Sequence, residues 1–222
     1  MVFKLSGSLV YPPRPDYLRG LRAVVERLVG DGYSVAIVVG GGRVARELIA
    51  AAREVGVGQW GQDLLGIGAS RLNALLLAHV LRPLSLPRVP VSLEDAVEYV
   101  MSGRVPVMGG LQPGQSTNAV ALLLAEALGA SRVVNALRGV AGVYDRDPGQ
   151  PGARLLPRLS LDELERIVEG YPQEAGRYSL IDHLAIQVAR RSRIPIIFVD
   201  GERLDQLEAA ARGEPVGSQV LP

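Results

Sequence analysis

The chain has 222 residues, a formal net charge of +1, 48% hydrophobic and 21% charged residues, and no cysteine. That length and balance suit one large folded domain and exclude a disordered chain, a disulfide scaffold and thiolate chemistry. A near-neutral charge and 5% aromatic content also argue against a nucleic-acid binder, which needs a basic patch or stacking rings.

The first predicted strand, VFKLSG (2–7), begins at the second residue and leaves no room for a signal peptide. It carries Lys4, the only lysine beside 23 arginines (24 − 1). A compact ammonium with three rotatable donors is not interchangeable with a planar guanidinium, so the position asks for a reason. The proline-rich YPPRPD (11–16) leads into a helix over 17–29, where Leu18, Leu21, Val24, Val25 and Leu28 recur at helical spacing. A second strand, SVAIVVGGG (34–42), opens directly into a helix over 43–55. A long helix is predicted for about 62–82, with Asp63 able to cap it. RVPV (88–91) reads as a strand, followed by a helix from Leu93 with Ser92 as N-cap.

RVPVMGG (104–110) reads as the next strand, then a polar loop and a helix over 117–129 with Ser116 or Thr117 as N-cap. The richest apolar run, AVALLLAEALGA (119–130), is too short to span a bilayer and contains Glu126. SRVVNAL (131–137) is a strand, and VAGVYDRDPGQPG (140–152) a hairpin or excursion ending in turns. Helices over 160–169 and 180–191, the strand RIPIIFVDG (193–201), a short helix and a tail complete the chain. Strands alternating with helices predict α/β: a single αβα sandwich around a mostly parallel sheet.

Three strands end in small-residue loops: SGS (6–8) beside Lys4, GGGR (40–43), and GGLQPGQSTNA (109–119). Two of them open into helices, whose free N–H groups and positive dipole end attract anions, while glycine lets a phosphate approach the backbone. Together with Arg43 and Arg46 they point to a ligand carrying several phosphates. The P-loop pattern GxxxxGK[ST] is excluded, because the sole lysine is at position 4. Gly40-x-Gly42-x-x-Ala45 matches a dinucleotide fingerprint, but the acid it needs, Asp63, sits in VGVGQWGQDLL, which is not a strand. His79 and His183 are isolated, so no metal cluster is expected, and no GxSxG elbow is present. Phosphoryl transfer remains, a chemistry of positioning and charge neutralisation. Plain structural roles compete at several positions: Arg46 could pair with Glu47 or Glu54 on its helix, and Asp147 before Pro148 suits a turn.

The stretches FKLSGS, VVGGGRVAR, QDLLGIGASRLNA, VPVMGGLQPGQSTNAVA, GVYDRDP and SLIDHLA, in this order, resemble the amino acid kinase family and, within it, the archaeal-type uridylate (UMP) kinases. The resemblance covers essentially the whole chain. It implies ATP-dependent phosphorylation of UMP to UDP, with Mg²⁺ accompanying ATP, in a homohexamer; the cytoplasm is the location expected from the absence of a signal peptide and of a spanning run. It also implies a UMP-side half over roughly 1–130 and an ATP-side half over roughly 131–222 of one domain. By the same resemblance, Lys4 and Arg46 are catalytic, and the ATP side comprises Lys4, Gly7, Ser8, Gly42, Arg46, Arg138, Tyr144 and Asp147. The UMP side comprises Gly41, Asp63, Leu111, Gln112, Pro113, Gly114, Gln115, Ser116 and Thr117. The sequence departs from the family pattern at Leu111, Asn118, Arg138 and Ala141, where Thr, Asp, Thr and Asp are usual. Related kinases of acetylglutamate carry a lysine at the place of Asp182, and those of isopentenyl phosphate a histidine among the glycines of the second loop. Both remain alternatives by resemblance, as does a non-catalytic nucleotide-binding member.

Overall fold

Val2–Leu5 forms strand β1, buried along its whole length. Side chains alternate along a strand, and Val2 accordingly packs in one apolar cluster while Phe3 and Leu5 pack in another. A strand covered on both faces belongs inside an α/β sheet. β1 lies between two parallel partners, β2 (Ala36–Val39) and β4 (Val133–Leu137). The computed structural model describes residues 1–169 and 180–222. Among them the sheet has seven strands, continuing outward from β2 to β3 (Val107–Met108) and from β4 to β6 (Ile196–Asp200), β7 (Ser218–Leu221) and β5 (Arg158–Ser160). The first five are parallel; β7 runs antiparallel to β6, and β5 runs parallel to β7.

Helices cover both faces. Helix α2 (Pro15–Gly30), with proline in its first turn, turns Leu21, Val25 and Leu28 onto the Phe3 face. It is joined there by Leu77 of α4 (Gln59–Val80) and Leu207 of α9 (Leu204–Arg212). The Val2 face is covered by α6 (Thr117–Ala127), α7 (Leu161–Glu169) and α8 (His183–Ser192), through residues such as Val120, Leu164 and Ile186. Helix α3 (Gly42–Glu54) packs along α4, and α5 (Leu93–Met101) starts at Ser92, whose hydroxyl accepts from the Asp95 amide at 3.0 Å. This is the expected αβα sandwich.

Several local expectations are corrected. SGS is not an open loop: Gly7 and Ser8 begin a single helical turn, α1 (Gly7–Val10). RVPV (88–91) forms no strand; Val89 packs as connector while Arg88 offers its carbonyl to the Tyr99 hydroxyl at 3.1 Å. Helix α4 starts at Gln59, so Asp63 lies inside its second turn and Gly58 holds the cap position. β5 and β7 were not anticipated. The 140–152 excursion is anchored by one antiparallel bridge, Tyr144 to Leu155. Ser179 of SLIDHLA lies outside the described residues.

The connections place the site. From β1 the chain moves to β2 and β3 on one side, and the strands after β4, namely β5, β6 and β7, all lie on the other. The carboxyl ends of β1 and β4 therefore flank a topological switch point, where open α/β sheets bind ligands.

Candidate active site

Lys4 is the next-to-last residue of β1 and shares its face with Val2, so its stem enters the layer of α6 and α8. It is only 9% exposed. Burial draws its pKa down from the ordinary 10.5 to about 8, and the Asp182 carboxylate pulls the other way. Asp182 is the N-cap of α8, its Oδ1 accepting from the Ala185 amide at 3.1 Å. Its other oxygen accepts from the Ser116 hydroxyl. Ser116 in turn caps α6, accepting from the amides of Asn118 and Ala119 at 3.0 and 3.1 Å. One carboxylate and one hydroxyl thus fasten two helix N-termini together beside the lysine. The positive ends of both dipoles and the ammonium converge on this corner.

The first two glycine loops touch backbone to backbone. A β-carbon on Gly7 would lie 2.1 Å from the Gly40 carbonyl oxygen and 2.4 Å from the Gly42 nitrogen. Gly42 has φ +62, a left-handed conformation that side chains resist. These glycines are therefore needed for loop-to-loop contact. The contact also brings Arg46, one turn into α3, to Ser8: its Nη2 donates to the hydroxyl at 3.3 Å. Glu47 is paired instead with Arg43, at 2.5 Å. Lys4, Gly7, Ser8, Gly42 and Arg46 are consequently assembled at one end of the sheet.

The second and third loops are held by α4 through three residues that sequence reasoning missed. Asn73 Nδ2 donates to the carbonyls of Gly40 and Gly41, at 2.9 and 3.2 Å. The Ser70 hydroxyl accepts from the Gly110 amide at 2.8 Å, and Arg71 donates to the carbonyls of Gly110 and Leu111 at 3.0 and 3.1 Å. Each bond satisfies a loop carbonyl or amide that lacks a sheet partner. A signal existed: Ser70 and Asn73 fall on the same helical stripe as Ile67, Ala74 and Leu77, where polar side chains must find partners.

Between these loops and α4 lies a cavity of about 580 Å³. Its wall includes Gly41, Asp63, Gln112, Gly114, Gln115, Ser116 and Thr117, seven of the nine residues expected around UMP; Leu111 and Pro113 are not part of it. Asp63 Oδ2 accepts from the Gly114 amide at 2.9 Å and Oδ1 from Gln59 at 3.0 Å. That keeps the half-buried carboxylate at the cavity edge and ties the third loop to α4. Asn118 and Asp182 also reach the cavity, which links it to the Lys4 corner.

Arg138, Tyr144 and Asp147 lie past the carboxyl end of β4 and do not line this cavity. Arg138 donates to Glu202 at 3.0 Å, and Glu202 also receives Arg14 at 2.6 Å. Tyr144 anchors the excursion, and Asp147 accepts from the Gly149 amide at 2.7 Å, as a turn residue does. Among the described residues no group of three or more metal-ligating side chains gathers.

The model of the amino acid kinase family matches residues 1–200. A uridylate kinase of Aeropyrum pernix is 51% identical over 96% of this chain and 96% of its own length. One of Hyperthermus butylicus is 43% identical over 99% and 97%. The crystal structure of uridylate kinase from Archaeoglobus fulgidus superposes with a TM-score of 0.87, at 38% identity, covering 99% of this chain and 98% of that one. The glycine loops packed at the switch point, the buried lysine and the cavity beside it thus sit on a shared scaffold, and the chain belongs to the amino acid kinase family.

Proposed function

We propose that the protein transfers the γ-phosphoryl group of ATP to UMP, giving UDP and ADP. The observation that carries this reading is the placing of Asp63 and the 112–117 loop around one cavity that opens onto the Lys4 corner. The near-full-length likeness to uridylate kinases supports it.

In this reading Asp63 accepts from the ribose hydroxyls of UMP, while Gly41 and residues 111–117 surround the nucleotide, with Thr117 at its phosphate. Lys4, Gly7, Ser8, Gly42 and Arg46 hold the ATP phosphates, and Arg138, Tyr144 and Asp147 border its adenosine. The halves meet near residue 130: the first holds UMP and supplies the residues at the ATP phosphates, and the second borders the adenosine of ATP. A UMP phosphate oxygen, already anionic, attacks the γ-phosphorus as the bond to the bridging oxygen breaks and ADP departs with the electron pair. No protein base is needed. Lys4 and Arg46 offset the charge that gathers on the transferring group, and their positions are set before the reaction. Mg²⁺ enters with ATP as part of that substrate. The reaction of soluble nucleotides belongs in the cytoplasm; no helix among the described residues is long and apolar enough to cross a membrane.

Assembly as a homohexamer is part of the same proposal. Trp60, Leu64 and Leu72 of α4 are 68%, 40% and 62% exposed, an apolar face suited to burial between subunits. A coupled assay of ATP with UMP, dUMP, CMP, acetylglutamate and isopentenyl phosphate tests the acceptor: UMP should be turned over best, and no UMP turnover would overturn the reading.

A further inference from the structure

Lys4 is buried near the carboxyl end of β1, and the groups around it are almost all neutral. Strand register places Val38 of β2 and Asn135 of β4 on its two sides. The start of α6 adds Ser116, Thr117 and Asn118. Asn118 Oδ1 accepts from Asn135 Nδ2 at 3.1 Å, so these two amides are joined to each other. Arg46 reaches Ser8 on α1, at 3.3 Å, and His183 lies 3.6 Å from Glu165 on α7. Among the described residues, Asp182 is the charged group that pulls on the ammonium, against the desolvation that burial imposes.

The place of Asp182 is fixed from two sides. One oxygen accepts from the Ala185 amide at 3.1 Å, and the other from the Ser116 hydroxyl. With Ser116 and Asn118 it lines the cavity that joins the lysine corner. Capping alone does not ask for a charge here, because serine and asparagine cap helices as well as aspartate does. A buried ammonium does ask for one, since without an opposite charge it gives up its proton. The resemblance places a carboxylate at position 118, on the facing helix end, but this chain has an amide there. One negative charge is left to balance one buried positive charge.

We propose that Asp182 is a positioning residue for phosphoryl transfer: its carboxylate keeps the Lys4 side chain charged, and it does so alone because position 118 is neutral. The proposal rests on the phosphoryl-transfer reading above. Lys4 still meets the transferring group, whereas Asp182 acts through the lysine and exchanges no proton with either substrate.

The sole lysine makes a direct test possible. Full-length protein grown on isotope-labelled lysine gives one side-chain signal, and its titration by NMR reads Lys4 without any substrate. A wrong acceptor therefore leaves this test intact. The wild-type signal should titrate at about pH 8. Asp182→Asn should weaken proton binding about tenfold, the effect of removing a nearby opposite charge. The charged fraction at pH 8 then falls from about one half to about one in eleven, so kcat/KM at pH 8 should fall about fivefold. The loss should grow toward tenfold at higher pH and shrink toward pH 6, where Lys4 is charged in both proteins. A lost helix cap would instead lower kcat/KM alike at every pH. Asn118→Asp keeps the acceptor for Asn135 and restores a carboxylate. In the Asp182→Asn background it should move the lysine titration back up and recover part of the loss at pH 8. A lysine signal that titrates alike in wild type and Asp182→Asn would overturn the proposal. So would a loss that is uniform in pH and unrelieved by Asn118→Asp. Should Asp182→Asn fail to fold, Asp182→Ser, also neutral and also a cap, is judged by the same outcomes.

Discussion

Lys4→Met keeps the length of the side chain and removes its charge. A lysine whose pKa falls from 10.5 to about 8 on folding carries a penalty on its protonated form of about 3 kcal/mol, at 1.36 kcal/mol per tenfold. The cause is desolvation, which the nearby Asp182 only partly offsets. Because the folded value lies below the unfolded one, the native protein holds fewer protons than the unfolded chain between about pH 8 and 10.5. Stability should therefore rise with pH across that window, and the penalty is present in full below about pH 8. At pH 7 the methionine variant should be more stable by about 3 kcal/mol, a rise in Tm of roughly 6–12 °C for a chain of this size. Near pH 11 the gain should vanish. The same variant should lose about 10²–10³ in kcat, with little change in nucleotide binding, and Lys4→Arg should recover only part of it. Denaturation of the nucleotide-free protein at pH 7 and pH 11, with steady-state kinetics beside it, measures both halves. A methionine variant no more stable than wild type at pH 7, or one that keeps wild-type kcat, would refute the reasoning.

Asp63→Ala should lower kcat/KM for UMP by about 10–100-fold and for dUMP, which keeps only the 3′-hydroxyl, by less, since a lost hydrogen bond to a charged partner is worth about 1.5–3 kcal/mol; equal losses on both substrates would remove the role of Asp63 at the 2′-hydroxyl. Asn73→Leu should destabilise the fold by about 1–3 kcal/mol, because the carbonyls of Gly40 and Gly41 lose their donor, and denaturant unfolding reads this directly. Sedimentation at micromolar concentration should show a hexamer, and Leu72→Glu on the exposed face of α4 should break it into smaller species; a wild-type monomer would end the assembly proposal.

The central part of the fold was legible because its residues obey simple periods. Strand β2 is an unbroken apolar run, β1, β4 and β6 are apolar but for Lys4, Asn135 and Asp200, and α2, α5 and α6 carry an apolar stripe, the latter two with a serine cap. β5 and β7 were not legible: they are the edge strand and its neighbour, are three and four residues long, and alternate buried with exposed or partly exposed positions. Helix α4 begins three residues before the predicted 62 because packing against α3 overrides the low helix propensity of Gly61. In the site, the glycine loops and Ser116 were readable from local chemistry. The polar clamp of Ser70, Arg71 and Asn73 was not, since its partners are backbone groups about 30 to 40 residues away in sequence. The Asn118–Asn135 hydrogen bond was hidden as well, because it joins a side chain of α6 to one of β4 across two elements.

Incubating the protein with ATP labelled in the γ-phosphate and with UMP, and following where the label goes, tests the central claim most directly. The account predicts label in UDP, dependent on Lys4 and reduced when dUMP replaces UMP. Label appearing only in inorganic phosphate, or on UMP and dUMP equally, would contradict it.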